Sequence, residues 1–311
     1  MRIAFLDTDT MGNVPNLRKI DALGEVVYYP TTQPHETIER LQGIDIAITC
    51  KVVIDRPVID HASNLKLICA AATGINHIDA EYAQQKGIVV KNVANYSTYS
   101  VAQHTFALIL SLYHQIPFYD RFVKDGSYSR HHIFSGMDRN ITEIRGKIFG
   151  IIGLGSIGKK VAEIATAFGA EVWYYSTSGK NFNPVYRRVS LEDLLRNADI
   201  VSIHAPLNDS TRNLIDLPQL KLMKSSAILI NTGRGGIVNE NALAQAIDDD
   251  IIAGAGLDVF SREPILPENP LMQVKKSEKL VLTPHNAWTS LEARMVLIEG
   301  IVKNIQEFLN R

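Results

Sequence analysis

Three side chains in the second half of the sequence have the chemistry of an acid/base site beside an anionic group. Arg234 stands among glycines in Asn-Thr-Gly-Arg-Gly-Gly, residues 231–236, and Glu263 and His285 follow later apolar runs of the chain. An arginine guanidinium matches a carboxylate with two parallel hydrogen bonds and polarises a neighbouring carbonyl. A histidine gains or loses a proton near neutral pH, and a carboxylate partner fixes its tautomer. The three residues therefore predict proton transfer beside a bound carboxylate or carbonyl.

A glycine pattern upstream predicts what lies next to them. The apolar run 148–152 leads into Gly153-x-Gly155-x-x-Gly158, and apolar residues then recur at helical spacing. In this order the first glycine makes a tight turn, the second lets the backbone approach a pyrophosphate, and the third lets helix and strand pack closely. The helix N-terminus adds unpaired N–H groups and the positive end of its dipole. With a second strand predicted over 171–175, the stretch indicates a dinucleotide-binding βαβ unit.

The chemical residues also have plainer interpretations. Arg234 could be a surface arginine in a turn, and a histidine such as His285 is often a hydrogen-bonded structural residue. Their placement at the ends of successive predicted strands, beside a dinucleotide fold, favours the chemical interpretation.

Apolar runs alternate with polar or amphipathic segments along most of the chain, which predicts parallel sheets covered by helices on both faces. The predicted strands are 2–6, 25–29, 44–49, 65–70, 88–90, 148–152, 171–175, 200–204, 227–231, 253–257 and 280–283. The predicted helices include 35–41, 80–85, 98–113 and 291–309, while 126–145 and 261–274 are predicted loops. We expect two doubly wound units, the second inserted so that the terminal helix returns to the first. A simple split near residue 146 is the alternative.

Composition excludes several classes of protein. Lys and Arg number 32 against 33 Asp and Glu, and no basic run occurs, which argues against nucleic acid or an anionic membrane as partner. No signal-like N-terminal region and no stretch of eighteen apolar residues is present. Cys50 and Cys69 each end an apolar run, which favours buried reduced thiols, with no Cys/His metal spacing. We expect a cytoplasmic protein without a metal.

Ordered motifs over nearly the whole chain give a resemblance. The chain resembles the D-isomer-specific 2-hydroxyacid dehydrogenases, the family of D-lactate, glycerate, glyoxylate/hydroxypyruvate and phosphoglycerate dehydrogenases. The matching motifs are residues 72–79, 100–104, the glycine fingerprint, 204–207, 231–238, 256–260 with Glu263-Pro264, and 283–285.

The resemblance implies a fold and a set of roles. A Rossmann NAD(P)-binding domain, 98–285, is inserted in a flavodoxin-like substrate-binding domain made of 1–97 and 286–311. Arg234 binds the substrate carboxylate and carbonyl, His285 is the acid/base, and Glu263 orients it. The backbone of Thr73, Gly74 and Ile75 binds the substrate carboxylate, and Asp258 holds the nicotinamide carboxamide. The other cofactor-binding residues implied are Gly153, Gly155, Ser156, Ile157, Gly158, Ser176, Thr177, Ser178, His204, Pro206 and Thr232. A homodimer built through the cofactor domain is expected.

Cofactor choice departs from the common pattern. An Asp or Glu about 20 residues past the fingerprint normally takes the ribose 2′-hydroxyl. Here the strand 171–175 runs into Ser176-Thr177-Ser178-Gly179-Lys180, with no acid. Hydroxyls and a lysine suit a 2′-phosphate, so we predict NAD(P) with a preference for NADP. A polar loop with a relaxed NAD site is the alternative. A second departure is Gln103, where the family commonly has an acid.

The predicted function is NAD(P)H-dependent reduction of a small 2-oxo acid, hydroxypyruvate or glyoxylate, to the D-2-hydroxy acid. One alternative is a nucleotide-sensing protein that keeps the fold, which would not need an acid/base. Another is a formate dehydrogenase of the same fold, whose reaction has no carbonyl to protonate. Four further residues either line the substrate end or belong to interdomain packing or a dimer loop: Tyr96, Tyr128, His131 and His132.

Overall fold

The computed structural model describes residues 1–310 and divides the chain into two compact units. Unit 1 contains residues 1–97 and the chain from 288 onward, and unit 2 contains residues 98–287. Unit 2 is thus an insertion in unit 1. The chain returns from unit 2 to unit 1 after residue 287, two residues later than the boundary after residue 285 that the sequence predicted.

Residues 1–310 form twelve strands and ten α-helices. The strands are β1 (Arg2–Phe5), β2 (Glu25–Tyr28), β3 (Ile46–Thr49), β4 (Leu67–Ala70), β5 (Val89–Asn92), β6 (Ile148–Ile152), β7 (Glu171–Tyr175), β8 (Arg187–Arg188), β9 (Ile200–Ile203), β10 (Ile228–Asn231), β11 (Gly254–Leu257) and β12 (Leu280–Leu282). The α-helices are α1 (Thr37–Arg40), α2 (Arg56–His61), α3 (Ala80–Gln85), α4 (Thr98–Tyr113), α5 (Ile116–Lys124), α6 (Ser156–Ala167), α7 (Leu191–Asn197), α8 (Leu217–Leu220), α9 (Glu240–Asp248) and α10 (Leu291–Leu309). Short 3-10 helices cover Thr8–Met11, Leu17–Leu23, Pro34–Glu36, Tyr128–Arg130, Pro270–Gln273 and Ser277–Lys279.

Unit 1 is a doubly wound domain of the flavodoxin type. Its five strands are all parallel and follow the order β2-β1-β3-β4-β5, with the reversal of strand order between β1 and β3. Strands β3 and β4 are buried throughout and apolar except for Thr49, as expected for parallel strands covered on both faces. Four residues of α10 enter the core on one face: Leu297, Ile298, Ile301 and Ile305. Helix α10 approaches the end of β5 so closely that a Cβ on Gly300 would lie 2.4 Å from Val93 Cγ1.

Unit 2 is a Rossmann domain extended at one edge. Its seven parallel strands follow the order β12-β11-β10-β9-β6-β7-β8, and the order reverses between β6 and β9. Helices α4 and α6 contribute to the core on one face, and α7, α8 and α9 to the core on the other. Helix α4 packs directly on β11, where a Cβ on Gly256 would lie 3.0 Å from Leu108 Cβ.

Six of the described strands and α-helices were not predicted from the sequence: α2, α5, α7, α8, α9 and β8. Helix α5 buries none of its residues within the chain, although its apolar residues recur on one helical face. Strand β8 has only two residues, both exposed arginines at the sheet edge, which is too short for an alternation to show. The expected loop at 126–145 contains only one 3-10 turn, and the expected loop at 261–274 contains one at its end.

Two further expectations concern the cysteines and the membrane. Cys50 and Cys69 are buried free thiols, as the sequence predicted, and burial raises the pKa of Cys69 to about 12. Within residues 1–310, every helix is too short or too polar to cross a bilayer.

Candidate active site

Three neighbouring strands bring the predicted chemical residues to one edge of the unit 2 sheet. Arg234 follows β10, Glu263 lies in the loop after β11, and His285 follows β12. These strands are adjacent and parallel, so their carboxyl ends lie at the same edge. Ligands of open α/β sheets bind at that edge.

The turn that carries Arg234 is held by the residue that ends β10. Asn231 is buried, and its side-chain oxygen accepts the Gly233 N–H at 3.0 Å while its amide donates to the Arg234 carbonyl at 3.0 Å. A Cβ on Gly235 would lie 1.8 Å from the Phe260 carbonyl oxygen, so only glycine fits there. These contacts fix the backbone from which the half-buried Arg234 side chain emerges.

His285 and Glu263 form a pair. His285 Nδ1 lies 2.6 Å from Glu263 Oε2, and Glu263 Oε1 accepts the Phe260 N–H at 3.1 Å. The carboxylate is thus tied to the end of β11 and in turn orients the imidazole. Because a carboxylate on Nδ1 requires the proton there, Nε2 is the ring nitrogen that would exchange a proton with a substrate.

Asp258, predicted to hold the nicotinamide carboxamide, is almost fully buried, with 1% of its surface exposed. Its Oδ1 accepts from Thr283 Oγ1 at 2.7 Å and from the Asn286 N–H at 2.9 Å, and its Oδ2 accepts the Ala287 N–H at 2.9 Å. A carboxylate has about four acceptor positions, so the chain itself uses most of them.

The glycine fingerprint has the geometry of a phosphate cradle. Gly153 has φ +93°, and a Cβ on it would lie 2.8 Å from the Ala205 nitrogen; a Cβ on Gly158 would lie 2.3 Å from the Gly153 carbonyl oxygen. Gly155 differs, because it is exposed and its Cβ would meet no atom within 4 Å. The open side of Gly155 at the N-terminus of α6, with Ser156 and Ile157 in the first turn, fits a pyrophosphate on the backbone N–H groups.

The loop after β7 has the predicted hydroxyls and a cation that sequence reasoning missed. Ser176 is 4% exposed, and its Oγ has no hydrogen-bond partner among residues 1–310, whereas Thr177 is half-buried and Ser178 exposed. A turn closes from the Gly179 N–H to the Ser176 carbonyl at 3.2 Å, and Arg188 Nη2 donates to the Gly179 carbonyl at 3.0 Å.

A surface pocket of about 750 Å³ lies between the ends of β7 and β8. Its lining includes Tyr175, Phe182, Arg187, Arg188 and Asp193. Tyr175 directly precedes the buried hydroxyl of Ser176, which is not itself part of the pocket lining.

His204, Pro206 and Thr232 organise the neighbouring strand ends. His204 Nε2 lies 2.8 Å from Ser202 Oγ and its Nδ1 lies 3.4 Å from Thr232 Oγ1; burial lowers the pKa of His204 to about 3. The Pro206 carbonyl accepts from Thr211 Oγ1 at 2.7 Å, which folds the loop after β9 into a turn. The imidazole of His204 is therefore neutral and supports the fold.

The predicted carboxylate-binding turn belongs to unit 1. Thr73, Gly74 and Ile75 follow β4, and the turn is held by Asn92 Nδ2 donating to the Thr73 carbonyl at 2.6 Å. Thr73 Oγ1 also donates to the Val93 carbonyl at 3.4 Å.

Helix α4 adds two residues that sequence reasoning did not assign. His104 Nε2 lies 2.9 Å from Thr283 Oγ1, and Thr105 Oγ1 lies 3.1 Å from Thr232 Oγ1. Their partners are 179 and 127 positions away in sequence, so only the motif around 100–104 could have drawn attention to them. Gln103 beside them is exposed, and nothing in the structure explains why it replaces an acid. Within residues 1–310 no group of three or more His, Cys, Asp or Glu side chains is placed to hold a metal ion.

Comparison with known proteins agrees with this architecture. The family model described as "D-isomer specific 2-hydroxyacid dehydrogenase, NAD binding domain" matches residues 106–287. The chain is 38% identical to glycerate dehydrogenase of Methylorubrum extorquens, over 99% of this chain and 96% of that one. It is 42% identical to glyoxylate reductase of Aeropyrum pernix, over 82% and 76% of the two chains. An acyclic imino acid reductase solved with NADPH and D-Arg superposes with a TM-score of 0.90 at 33% identity, over 100% and 97% of the chains.

The fold and the site define an NAD(P)-dependent oxidoreductase. Within that class, the match over more than half of the chain and the identity to full-length relatives settle the family. The chain belongs to the D-isomer-specific 2-hydroxyacid dehydrogenases.

Replacing Gly155 and Gly158 separates cofactor binding from folding. Gly155→Ala is expected to leave the melting temperature nearly unchanged, since its Cβ meets no atom and its φ is −80°. The same Cβ would occupy the path of a pyrophosphate, so the Kd for NADPH or NADH should rise by 10-fold or more. Gly158→Ala is the matched variant, and it should destabilise the protein by about 1–3 kcal/mol because its Cβ has no room. Calorimetric titration of each variant checks this; unchanged affinity in Gly155→Ala would contradict the cradle.

The depressed pKa of His204 predicts a pH-dependent stability. Between about pH 6.5 and 3 the unfolded chain binds a proton at this residue while the folded chain does not, so stability is fully present above pH 6.5 and declines as the pH falls. The contribution is at most about 1.4 kcal/mol per pH unit. His204→Gln should show a shallower loss of unfolding free energy between pH 6.5 and 5, where carboxylates stay ionised. Urea unfolding measures the two slopes; equal slopes would show that His204 is protonated in the fold.

Proposed function

We propose that the protein reduces hydroxypyruvate or glyoxylate, small 2-oxo acids, to the D-2-hydroxy acid with NAD(P)H, with His285 as the acid/base. The observation that carries the proposal is the 2.6 Å pairing of His285 Nδ1 with Glu263 Oε2 at the ligand edge of the sheet. The names of the relatives, a glycerate dehydrogenase and a glyoxylate reductase, support the substrate class.

Each residue has one task in this reaction. A reduced nicotinamide cofactor, when bound, would supply the hydride for the carbonyl carbon. Arg234 binds the substrate carboxylate and stabilises the negative charge that grows on the carbonyl oxygen. His285 donates its Nε2 proton to that oxygen and takes it back in the reverse direction, and Glu263 stabilises the imidazolium form. Thr73, Gly74 and Ile75 of unit 1 stay predicted carboxylate-binding residues.

Two other functions compete with this one. A sensor that only binds the dinucleotide has no use for the His285–Glu263 pair. A formate dehydrogenase has no carbonyl oxygen to protonate, so the same pair argues against it. The deciding assay is a panel of 2-oxo acids and formate with NADH and NADPH separately, and it includes 2-oxo acids with added amine because one neighbour reduces imino acids. Turnover of hydroxypyruvate or glyoxylate supports the proposal, and turnover of formate alone contradicts it.

Removing the acid/base should abolish turnover and spare binding. His285 has φ +52°, a conformation that asparagine tolerates better than most residues, so His285→Asn is the suitable variant. We expect kcat to fall by about 10²–10⁴-fold with the Kd for the cofactor unchanged. His35→Asn, at an exposed position of unit 1, is the control and should keep wild-type kcat. Near-wild-type turnover in His285→Asn would rule out the acid/base role.

We infer further that NADPH is preferred over NADH. The turn after β7 offers the unpartnered hydroxyl of Ser176, the cations Lys180 and Arg188, and no carboxylate. A carboxylate would bind a ribose 2′-hydroxyl and repel a 2′-phosphate, whereas hydroxyls and cations accept the phosphate. Arg188, in β8, supports the inference because its hydrogen bond to the Gly179 carbonyl places a cation beside the turn of residues 176–179.

An acid introduced at Ser176 tests the preference. Ser176→Asp should weaken NADPH use by about 1–3 kcal/mol, measured as kcat/KM, through the loss of a hydrogen bond and added repulsion. Its kcat/KM for NADH should stay equal or rise. Ser63→Asp adds the same charge at an exposed position of unit 1 and should change neither value. A wild-type protein that strongly prefers NADH would overturn the inference.

We propose, finally, that the protein is a homodimer. Helix α5 buries no residue within its own chain, and the segment that follows exposes large apolar side chains, including Phe134 at 90% and Met137 at 75%. Tyr128 and His131 pack with Phe122 in this segment, which favours a dimer loop over a substrate-lining role. Light scattering should give twice the 34.5 kDa of one chain, and Phe134→Asp should lower that mass. The cytoplasmic location stays a prediction of the sequence.

A further inference from the structure

We propose that His104, Thr283 and Asp258 are positioning residues that hold the backbone of His285, and this rests on the proposed acid/base role of His285. The three side chains form a chain of hydrogen bonds from α4 to the ends of β11 and β12. None of them needs to touch the substrate. They act by fixing where the imidazole stands.

Asp258 is the fixed end of this chain. Its carboxylate receives the N–H groups of Asn286 and Ala287, the two residues directly after His285. An ionised carboxylate buried to this degree must have its acceptors satisfied, and the backbone N–H groups do so. Removing the Asp258 carboxylate from water is unfavourable, but the same burial strengthens its hydrogen bonds because no water competes for them.

The backbone at His285 requires such support. Its φ of +52° lies in the left-handed region, and its N–H donates to the Thr283 carbonyl only two residues earlier at 3.0 Å. A non-glycine residue in this region is strained and persists only where its surroundings impose it. Bonds to Thr283 on one side and to Asp258 on the other impose it here. Ser100 Oγ adds a hydrogen bond to the Ala287 carbonyl at 2.6 Å.

Proton counting assigns a role to His104. The Thr283 hydroxyl has one proton, and the 2.7 Å contact places it toward Asp258 Oδ1, which can only accept. The same oxygen therefore accepts from His104 Nε2 at 2.9 Å, so His104 bears its proton on Nε2. His104 Nε2 also lies 3.5 Å from Asp258 Oδ1. By donating to the Thr283 hydroxyl, His104 thus orients that hydroxyl so that it donates to the Asp258 carboxylate.

The next residue of α4 supports the other catalytic side chain. Thr105 Oγ1 meets Thr232 Oγ1 at 3.1 Å, and Thr232 directly precedes the turn that carries Arg234. Two consecutive residues of one rigid helix thus reach the loops of both Arg234 and His285. This arrangement sets both reacting groups relative to a common element, which is what positioning requires.

Paired substitutions test the proposal. Thr283→Val removes the hydroxyl and keeps the shape, and Thr283→Ser restores the hydroxyl. His104→Leu removes the donor, and His104→Gln restores an N–H at about the same place. Thr166→Val is the control, because it removes a hydroxyl at an exposed position of α6 that donates only to the Ala162 carbonyl. All variants are measured as the full chain, with the concentrations of cofactor and substrate each varied so that kcat and both KM values are obtained.

Two readouts distinguish positioning from other roles. We expect kcat to fall by about 10- to 100-fold in Thr283→Val and His104→Leu, with the KM for the cofactor unchanged. Thr283→Ser and His104→Gln should recover most of the loss. The second readout is the low-field proton NMR signal of the His285 Nδ1–Glu263 hydrogen bond, assigned by its absence in His285→Asn. It should broaden in the two disrupting variants and return in the two restoring ones.

The outcomes separate this proposal from the proposed function. A raised cofactor KM with intact kcat and an intact NMR signal would show that Asp258 and its partners serve the nicotinamide, and would overturn the proposal. Intact kcat together with an intact signal in Thr283→Val would overturn it as well. If the wild-type protein reduces no 2-oxo acid, the proposed function fails, and the NMR signal alone then decides whether the chain of bonds holds His285.

Discussion

The buried carboxylate of Asp258 is the constraint on which the active edge of unit 2 depends. It stands at the end of β11 and receives backbone N–H groups from the segment after β12, so it couples two strands beyond the point where their sheet hydrogen bonds stop. A buried charge left without these partners would cost several kcal/mol. These hydrogen bonds hold the loop that carries His285 in one backbone conformation. That conformation determines where the imidazole of His285 lies.

Much of the fold was predictable because parallel strands buried on both faces leave a continuous apolar signal. The strands β6 and β7 and the helices α3, α4 and α10 begin and end where the sequence predicted. Segments that bury little, such as α5 and β8, leave no such signal. Of the candidate site, the pairing of Glu263 with His285 could be anticipated from residue type and strand order. The partners of His104 and Thr105 could not, because their contacts join positions far apart in sequence.

Glycines at the site follow two different physical rules. Gly158 and Gly235 are required by backbone that lies too close for any side chain, so they belong to the packing of unit 2. No atom of the described protein lies within 4 Å of where a Cβ on Gly155 would be, so packing does not require glycine there. The missing side chain instead leaves space for a bound ligand. Within the one glycine fingerprint, Gly158 is thus needed for a contact inside the protein, whereas Gly155 leaves space for a bound ligand. Only the atoms around each glycine distinguish the two cases.

The docking of α10 in unit 1 has a consequence for biosynthesis. Leu297, Ile298, Ile301 and Ile305 complete a core whose other buried residues come from the first hundred positions. A ribosome therefore releases all of unit 2, residues 98–287, before unit 1 can be finished. Until α10 has been translated, one apolar face of the sheet formed by β1 to β5 stays uncovered. Unit 2 can fold in that interval, and the core of unit 1 is completed only after α10 has been translated.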